Sequence, residues 1–115
     1  MELQQLEVND SFVRLAMRGT LDAQAVAEVE KPFLAATVAR GKHAIVDISQ
    51  APFIASLGIG LFITASQGLM RKGARLVLLS PTRDVEHVFS KAGLTNMLPI
   101  AHDEEKARQM LITSV

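Results

Sequence analysis

The spacing of apolar residues changes period several times along the chain, and each change marks an element. Leu3, Leu6 and Val8 suggest a first strand and Phe12 to Met17 a second. Asn9-Asp10-Ser11 between them is turn chemistry, so the pair is expected to form a hairpin. Gly19-Thr20-Leu21-Asp22 breaks the second strand, and Asp22 is placed to cap a helix. Val26, Val29 and Phe33 then recur at three and four residues, the stripe of a helix with one buried face. Pro32 falls inside that stripe and is expected to kink the helix or divide it in two.

Ala44-Ile45-Val46 reads as a short strand covered on both faces, ending at Asp47. A loop carrying Pro52 leads to Ser56. Beyond it Leu57, Leu61, Ala65 and Leu69 repeat every four residues, a helix stripe that stops at Gly73 behind Arg71 and Lys72. Leu76 to Leu79 is a second fully apolar strand. Ser80-Pro81-Thr82 opens a helix with Val85, Val88, Phe89 and Ala92 on one face, closed by Gly93. Met97 to Ile100 is a short apolar stretch before a last helix, Asp103 to Leu111, with acids first and Ala107, Met110 and Leu111 inward. The order is β-β-α-β-α-β-α-β-α. It predicts an α/β fold with a mixed, largely parallel sheet of four to five strands and about four helices. In such sheets function sits beyond the carboxyl ends of the strands, where the Asp47–Ser56 loop lies.

The 115 residues are expected to form one domain, 1–115, large enough to bury about two-thirds of its unfolded surface. With 49% apolar and 21% charged residues, the composition is globular and not that of a disordered chain. Lys plus Arg equals Asp plus Glu at 12 each, so no net field draws the protein to nucleic acid or anionic lipid. Cysteine is absent, which removes disulfides, thiolate metal sites and cysteine nucleophiles together. The opening MELQQLEVND has no basic segment leading into an apolar one, which argues against a secretory signal. The apolar region around 52–70 is broken by Ser56, Thr64, Ser66, Gln67 and three glycines, and is a poor membrane span. A soluble cytoplasmic protein is the expectation, with no direct contact to nucleic acid or membrane.

Residues 53–60, FIASLGIG, place one hydroxyl in an apolar, glycine-dotted run. Three readings compete for Ser56: a helix N-cap, a nucleophile, or an attachment site for a phosphate. The cap follows from serine preceding an apolar-periodic run. The nucleophile is poorly supported, because an elbow wants Gly-x-Ser-x-Gly and Ile54 stands at the first glycine position although Gly58 fills the second. Its acid–base partner would have to be His43, His87 or His102, and no spacing assembles a triad. His102-Asp103-Glu104-Glu105 is explained as the acidic first turn of a helix, and no phosphate-loop pattern exists. No metal or cofactor is implied.

Arg18-Gly19-Thr20-Leu21-Asp22, His43-Ala44-Ile45-Val46-Asp47-Ile48-Ser49 and Phe53 to Gly60 resemble, in this order, segments of the STAS domain. More narrowly, the chain is similar to bacterial anti-sigma factor antagonists. Gly73 to Leu79 and Val88 to Leu94 are similar to that family as well, so the resemblance spans nearly the whole chain. It implies a binding protein, not an enzyme. Such antagonists bind an anti-sigma factor that is also a serine kinase. Phosphorylation of one serine ends the binding, and a serine phosphatase restores it. Ser56 matches the phosphorylated position, Gly58 and Gly60 the glycines after it, and Asp22 the family's Gly-x-Leu-Asp loop. Asp22, Phe53, Ile54, Ala55, Ser56, Leu57 and Gly58 are the implied partner-binding residues. Ala55 stands where the family usually has Asp, and Leu57 where it usually has a second hydroxyl. The resemblance also admits a non-catalytic subunit of a lipid-transport ATPase or signalling assembly, in which Ser56 would be only a helix cap.

Overall fold

The computed structural model describes residues 1–112; residues 113–115 of the expected domain lie outside the described residues. Strands β1 (Glu2–Val8) and β2 (Phe12–Arg18) form the hairpin, with Glu2 opposite Arg18 and Val8 opposite Val13. Asn9 closes its turn: the side-chain Oδ1 accepts the backbone N–H of Ser11 at 2.8 Å and of Phe12 at 2.9 Å. The chain continues through α1 (Ala23–Ala36), β3 (His43–Asp47), α2 (Ser56–Arg71), β4 (Leu76–Leu79), α3 (Arg83–Lys91), β5 (Ile100–Ala101) and α4 (Glu104–Ile112). Neighbours in the sheet follow the chain, β1-β2-β3-β4-β5; β1 is antiparallel to β2, and β2 through β5 run parallel. This is the expected mixed α/β sheet with four helices.

Side-chain alternation explains why β3 and β4 read as unbroken apolar runs. Ala44, Val46, Leu76 and Leu78 point to the main core, with Val26, Val29 and Phe33 of α1, Leu61, Phe62, Ala65 and Leu69 of α2, and Val85 and Phe89 of α3. Ile45, Val77, Leu79 and Ala101 point to the other face, where Ala107 and Leu111 of α4 cover them. In the main core the rings of Phe33 and Phe62 meet edge-on at 5.7 Å, a geometry worth about 0.5–1.5 kcal/mol beyond the area buried.

Several expectations change. Pro32 does not divide α1, which runs from Ala23 to Ala36. Pro32 and Glu28, whose carbonyl loses its helical donor, both lie on the exposed side where water can satisfy that oxygen. Leu57 is 59% exposed, unlike Leu61, Ala65 and Leu69. A strict four-residue repeat drifts by about 40° per step, so its first member leaves the buried arc. Val88 is 46% exposed and Ala92 is exposed too; only Val85 and Phe89 of that stripe reach the core. Finally, β5 is limited to Ile100–Ala101 instead of beginning at Met97.

Candidate functional site

Parallel strands bring the residues after β2, β3, β4 and β5 to one edge, and α1, α2 and α3 all start there. Beyond β2 and β3 the two chain segments stay paired. The Gly19 N–H donates to the Gln50 carbonyl, the Leu21 N–H to the Phe53 carbonyl, and the Ala55 N–H to the Leu21 carbonyl, each at 2.9 Å. Leu21 and Ile54 thus form a parallel bridge that extends the sheet by one step. It fixes the first turn of α1 beside the first turn of α2.

At the start of α1, Asp22 caps the helix as its sequence position implied, its Oδ1 accepting the Ala25 N–H at 2.9 Å. At the start of α2, the cap expectation for Ser56 fails. Ala55 occupies the N-cap position in extended conformation (φ −76°, ψ 166°), and among the described residues no side chain caps α2. The Gly58 and Ile59 N–H groups both donate to the Ala55 carbonyl, at 2.8 and 3.1 Å. Ser56 is the first helical residue, exposed, and among the described residues its hydroxyl has no hydrogen-bond partner. The pairing of Ala55 with Leu21 explains the shift: a contact distant in sequence holds residue 55 extended, so the cap position falls on Ala55 and Ser56 is drawn into the helix.

The other implied residues sort by exposure. Ile54 is buried at 8% and Gly58 is buried, Ala55 is half-buried, and Phe53 is 55% exposed. Gly58 is where the α2 start meets the segment leading into α1. A Cβ there would lie 2.8 Å from Leu21 Cδ2 and 2.9 Å from Ile54 Cγ2, closer than real Cβ contacts come. Phe53 and Leu57 therefore flank Ser56 as exposed apolar groups on a rigid base. Sequence reasoning missed that this surface continues onto α3. Exposed Val88 joins Pro52, Phe53, Ile54, Ile59, Asp84, Val85 and Phe89 around a cleft of about 70 Å³. Val88 sits on the flank of the Val85–Phe89 stripe, a position that its own segment leaves open between inward and outward.

No histidine hydrogen-bonds Ser56 among the described residues: His43 opens β3 at the opposite edge, and the exposed His102 ring lies 3.0 Å from the Glu86 carboxylate. No group of three or more metal-ligating side chains occurs among the described residues. Likewise, none of the described helices is long and apolar enough to cross a membrane. What the edge offers is an accessible hydroxyl within an apolar patch.

Comparison with known proteins agrees with this geometry. A family model described as STAS domain matches residues 4–107. A search of curated proteins found no match. Among solved structures, the anti-sigma factor antagonist SpoIIAA in its unphosphorylated form is similar, with 26% identity over 95% of this chain and 96% of that one and a TM-score of 0.77. The Bacillus cell fate determinant SpoIIAA in phosphorylated form shares 25% identity over 95% and 99% of the two chains, with a TM-score of 0.71. A candidate anti-sigma factor antagonist from Thermotoga maritima, 19% identical over 93% and 92%, superposes at a TM-score of 0.84 and supports the fold alone.

Proposed function

Because the chain belongs to the STAS domain family, we propose that it acts as an anti-sigma factor antagonist, a binding protein whose partner is an anti-sigma factor with serine kinase activity. In this reading the partner docks on the edge where Asp22, Phe53, Ser56 and Leu57 are exposed, with half-buried Ala55 and buried Ile54 and Gly58 supporting them. It phosphorylates Ser56 and is thereby released, and a serine phosphatase resets the cycle. One observation carries the proposal: the Ser56 hydroxyl is exposed, takes no part in holding the fold, and is flanked by exposed Phe53 and Leu57. A serine kept only as a helix cap would make the cap hydrogen bond, so the subunit reading loses its explanation for this residue.

A phosphoserine carries about −1.5 to −2 charges at neutral pH. At the first position of α2, with no acid in the first turn, that charge meets the positive end of the helix dipole and leaves the fold intact. Within an apolar interface the same charge must be stripped of water. A loss of about 3 kcal/mol weakens binding roughly a hundredfold, so a rigid domain is switched without changing shape.

The test uses mass spectrometry and two variants. Protein purified from its own cells is expected to carry phosphate on Ser56. Ser56→Ala is expected to keep its stability to within about 0.5 kcal/mol, since no cap is lost, and to stay bound to the kinase in the presence of ATP. Ser56→Asp is expected to gain about 0.3–1 kcal/mol of stability from the helix dipole yet bind the partner more weakly. Absence of phosphate on Ser56 together with wild-type binding by the Asp variant overturns the reading.

A further inference from the structure

At the opposite edge of the sheet a short chain of polar contacts leads from a histidine to the last helix. His43, half-buried, opens β3, where it pairs with Phe12 of β2. Alternation along the strand puts its side chain on the α4 face, the face of Ile45. The backbone N–H of Arg75 donates to His43 Nδ1 at 3.0 Å, and the Arg75 carbonyl accepts the Ala44 N–H at 2.9 Å. The Arg75 guanidinium reaches on to α4 and donates to the Met110 carbonyl at 3.0 Å. That carbonyl belongs to the last turn of α4, which contains no basic residue of its own. Arg75 supplies from outside the cation and donor that a helix C-terminus favours.

The contact with Arg75 needs a neutral imidazole whose proton sits on Nε2. Protonation converts Nδ1 from an acceptor into a donor facing another N–H, and places a positive ring beside a guanidinium. Among the described residues no carboxylate is paired with the ring to offset that charge. Arg75 faces the ring from β4's side, and Lys42 precedes it, with its ammonium donating to the Asn9 carbonyl at 2.9 Å. From α4, Arg108 stacks 5.1 Å above the Phe12 ring and is paired with Glu7 and Glu104, as is Arg14 of β2. No carboxylate pairs with His43 among the described residues. Burial first, and then the Arg75 charge, hold its pKa below the ordinary value of 6.5.

We propose that His43, Arg75 and the last turn of α4 form a proton-operated latch, closed while His43 is neutral and loosened when the ring is protonated. Among the described residues α4 is the only helix on its face of the sheet, and Leu111 in its last turn belongs to the buried apolar cluster that includes Ile45, Val77 and Leu79. Loosening that turn uncovers apolar strand surface at an edge remote from Ser56. The latch thus gives the domain a second, independent response, to acidity instead of phosphate.

Amide hydrogen exchange read by NMR tests it, with rates corrected for the intrinsic effect of pH. Between about pH 7.5 and about pH 5, a span that crosses the ordinary histidine range, protection of the α4 last-turn amides is expected to fall several times more than that of α2 amides. In His43→Gln, whose amide oxygen can accept the Arg75 N–H without titrating, this selective loss is expected to disappear. A second readout covers the case in which that variant does not fold. In the wild type, loosening of α4 is expected to share its midpoint with the titration of the His43 ring resonances. Equal acid sensitivity of α4 and α2, persistence of the selective loss in the folded His43→Gln protein, or two distinct midpoints overturns the latch.

Discussion

At the amino-terminal edge of the parallel strands, long polar side chains are spent on the backbone: Lys42 on the Asn9 carbonyl, Lys72 on that of Val38, Arg75 on that of Met110, and His43 on the Arg75 N–H. At the carboxyl edge the pattern is inverted. There the loops hold one another through backbone pairing, Phe53, Leu57 and Val88 are left exposed, and among the described residues the Ser56 side chain has no hydrogen-bond partner. The first edge solves a structural problem, since unpaired backbone groups at strand and helix ends are costly. The second solves none. Apolar groups left in water beside an exposed hydroxyl are what the proposed docking of a partner would cover.

The largest effect is expected where the carboxyl edge rests on the core. Leu61, 4% exposed, supports α2 behind Ser56, and Leu61→Ala should cost about 2–5 kcal/mol in denaturant unfolding. An unchanged midpoint would place α2 in a different rotational phase. Next comes Gly58→Ala. In an open helix this exchange stabilises by up to about 1 kcal/mol, but here the new methyl meets Leu21 and Ile54 at 2.8 and 2.9 Å. Overpacking of about 1–3 kcal/mol should win, and a more stable variant would show that the starts of α1 and α2 are not locked together.

Smaller still, Phe53→Ser and Leu57→Ser should leave stability within about 0.5 kcal/mol of wild type, as for most exposed positions. Under the proposed function both should weaken binding to an anti-sigma factor, measured by titration calorimetry. Loss of stability without loss of binding would make the carboxyl edge structural after all. The smallest effect is the pH response of the amino edge. His43 has a folded pKa below 6.5, so the unfolded chain binds more protons than the folded one as pH falls past that value. The histidine term is therefore absent well above pH 6.5 and turns destabilising below it. Melting temperatures of wild type and His43→Gln should converge above neutrality and separate in acid, with the wild type the lower of the two.

The sheet was legible because period-two and period-3.6 patterns are local, and so were the caps Asp22 and Thr82, whose side-chain oxygens take the N–H three residues on. Ser56 carried the same local signal and was misleading. Its backbone setting is decided by the hydrogen bond from Ala55 to the Leu21 carbonyl, between residues that no short window contains. Leu57 and Val88 show the same limit from the other side. An apolar residue at the flank of a stripe is inward or outward according to what lies beneath it, and nothing in its own segment says which. That Asp22 and Ser56 come together at the carboxyl edge could be read from topology, whereas the continuation of the candidate surface onto α3 needed the packed molecule.

Sheet neighbours that are also chain neighbours bear on how the protein is made. No later strand has to wedge between two already joined, so the sheet can grow at one margin as the ribosome releases the chain. Leu21, Ile54 and Gly58 all precede β4 in the chain, so the contacts that set the Ser56 turn can form on a three-stranded nascent sheet. That nascent sheet still has β3, with Ala44-Ile45-Val46 at its centre, as a bare margin until Leu76–Leu79 arrives. During synthesis, the edge most open to wrong pairing is therefore that of β3.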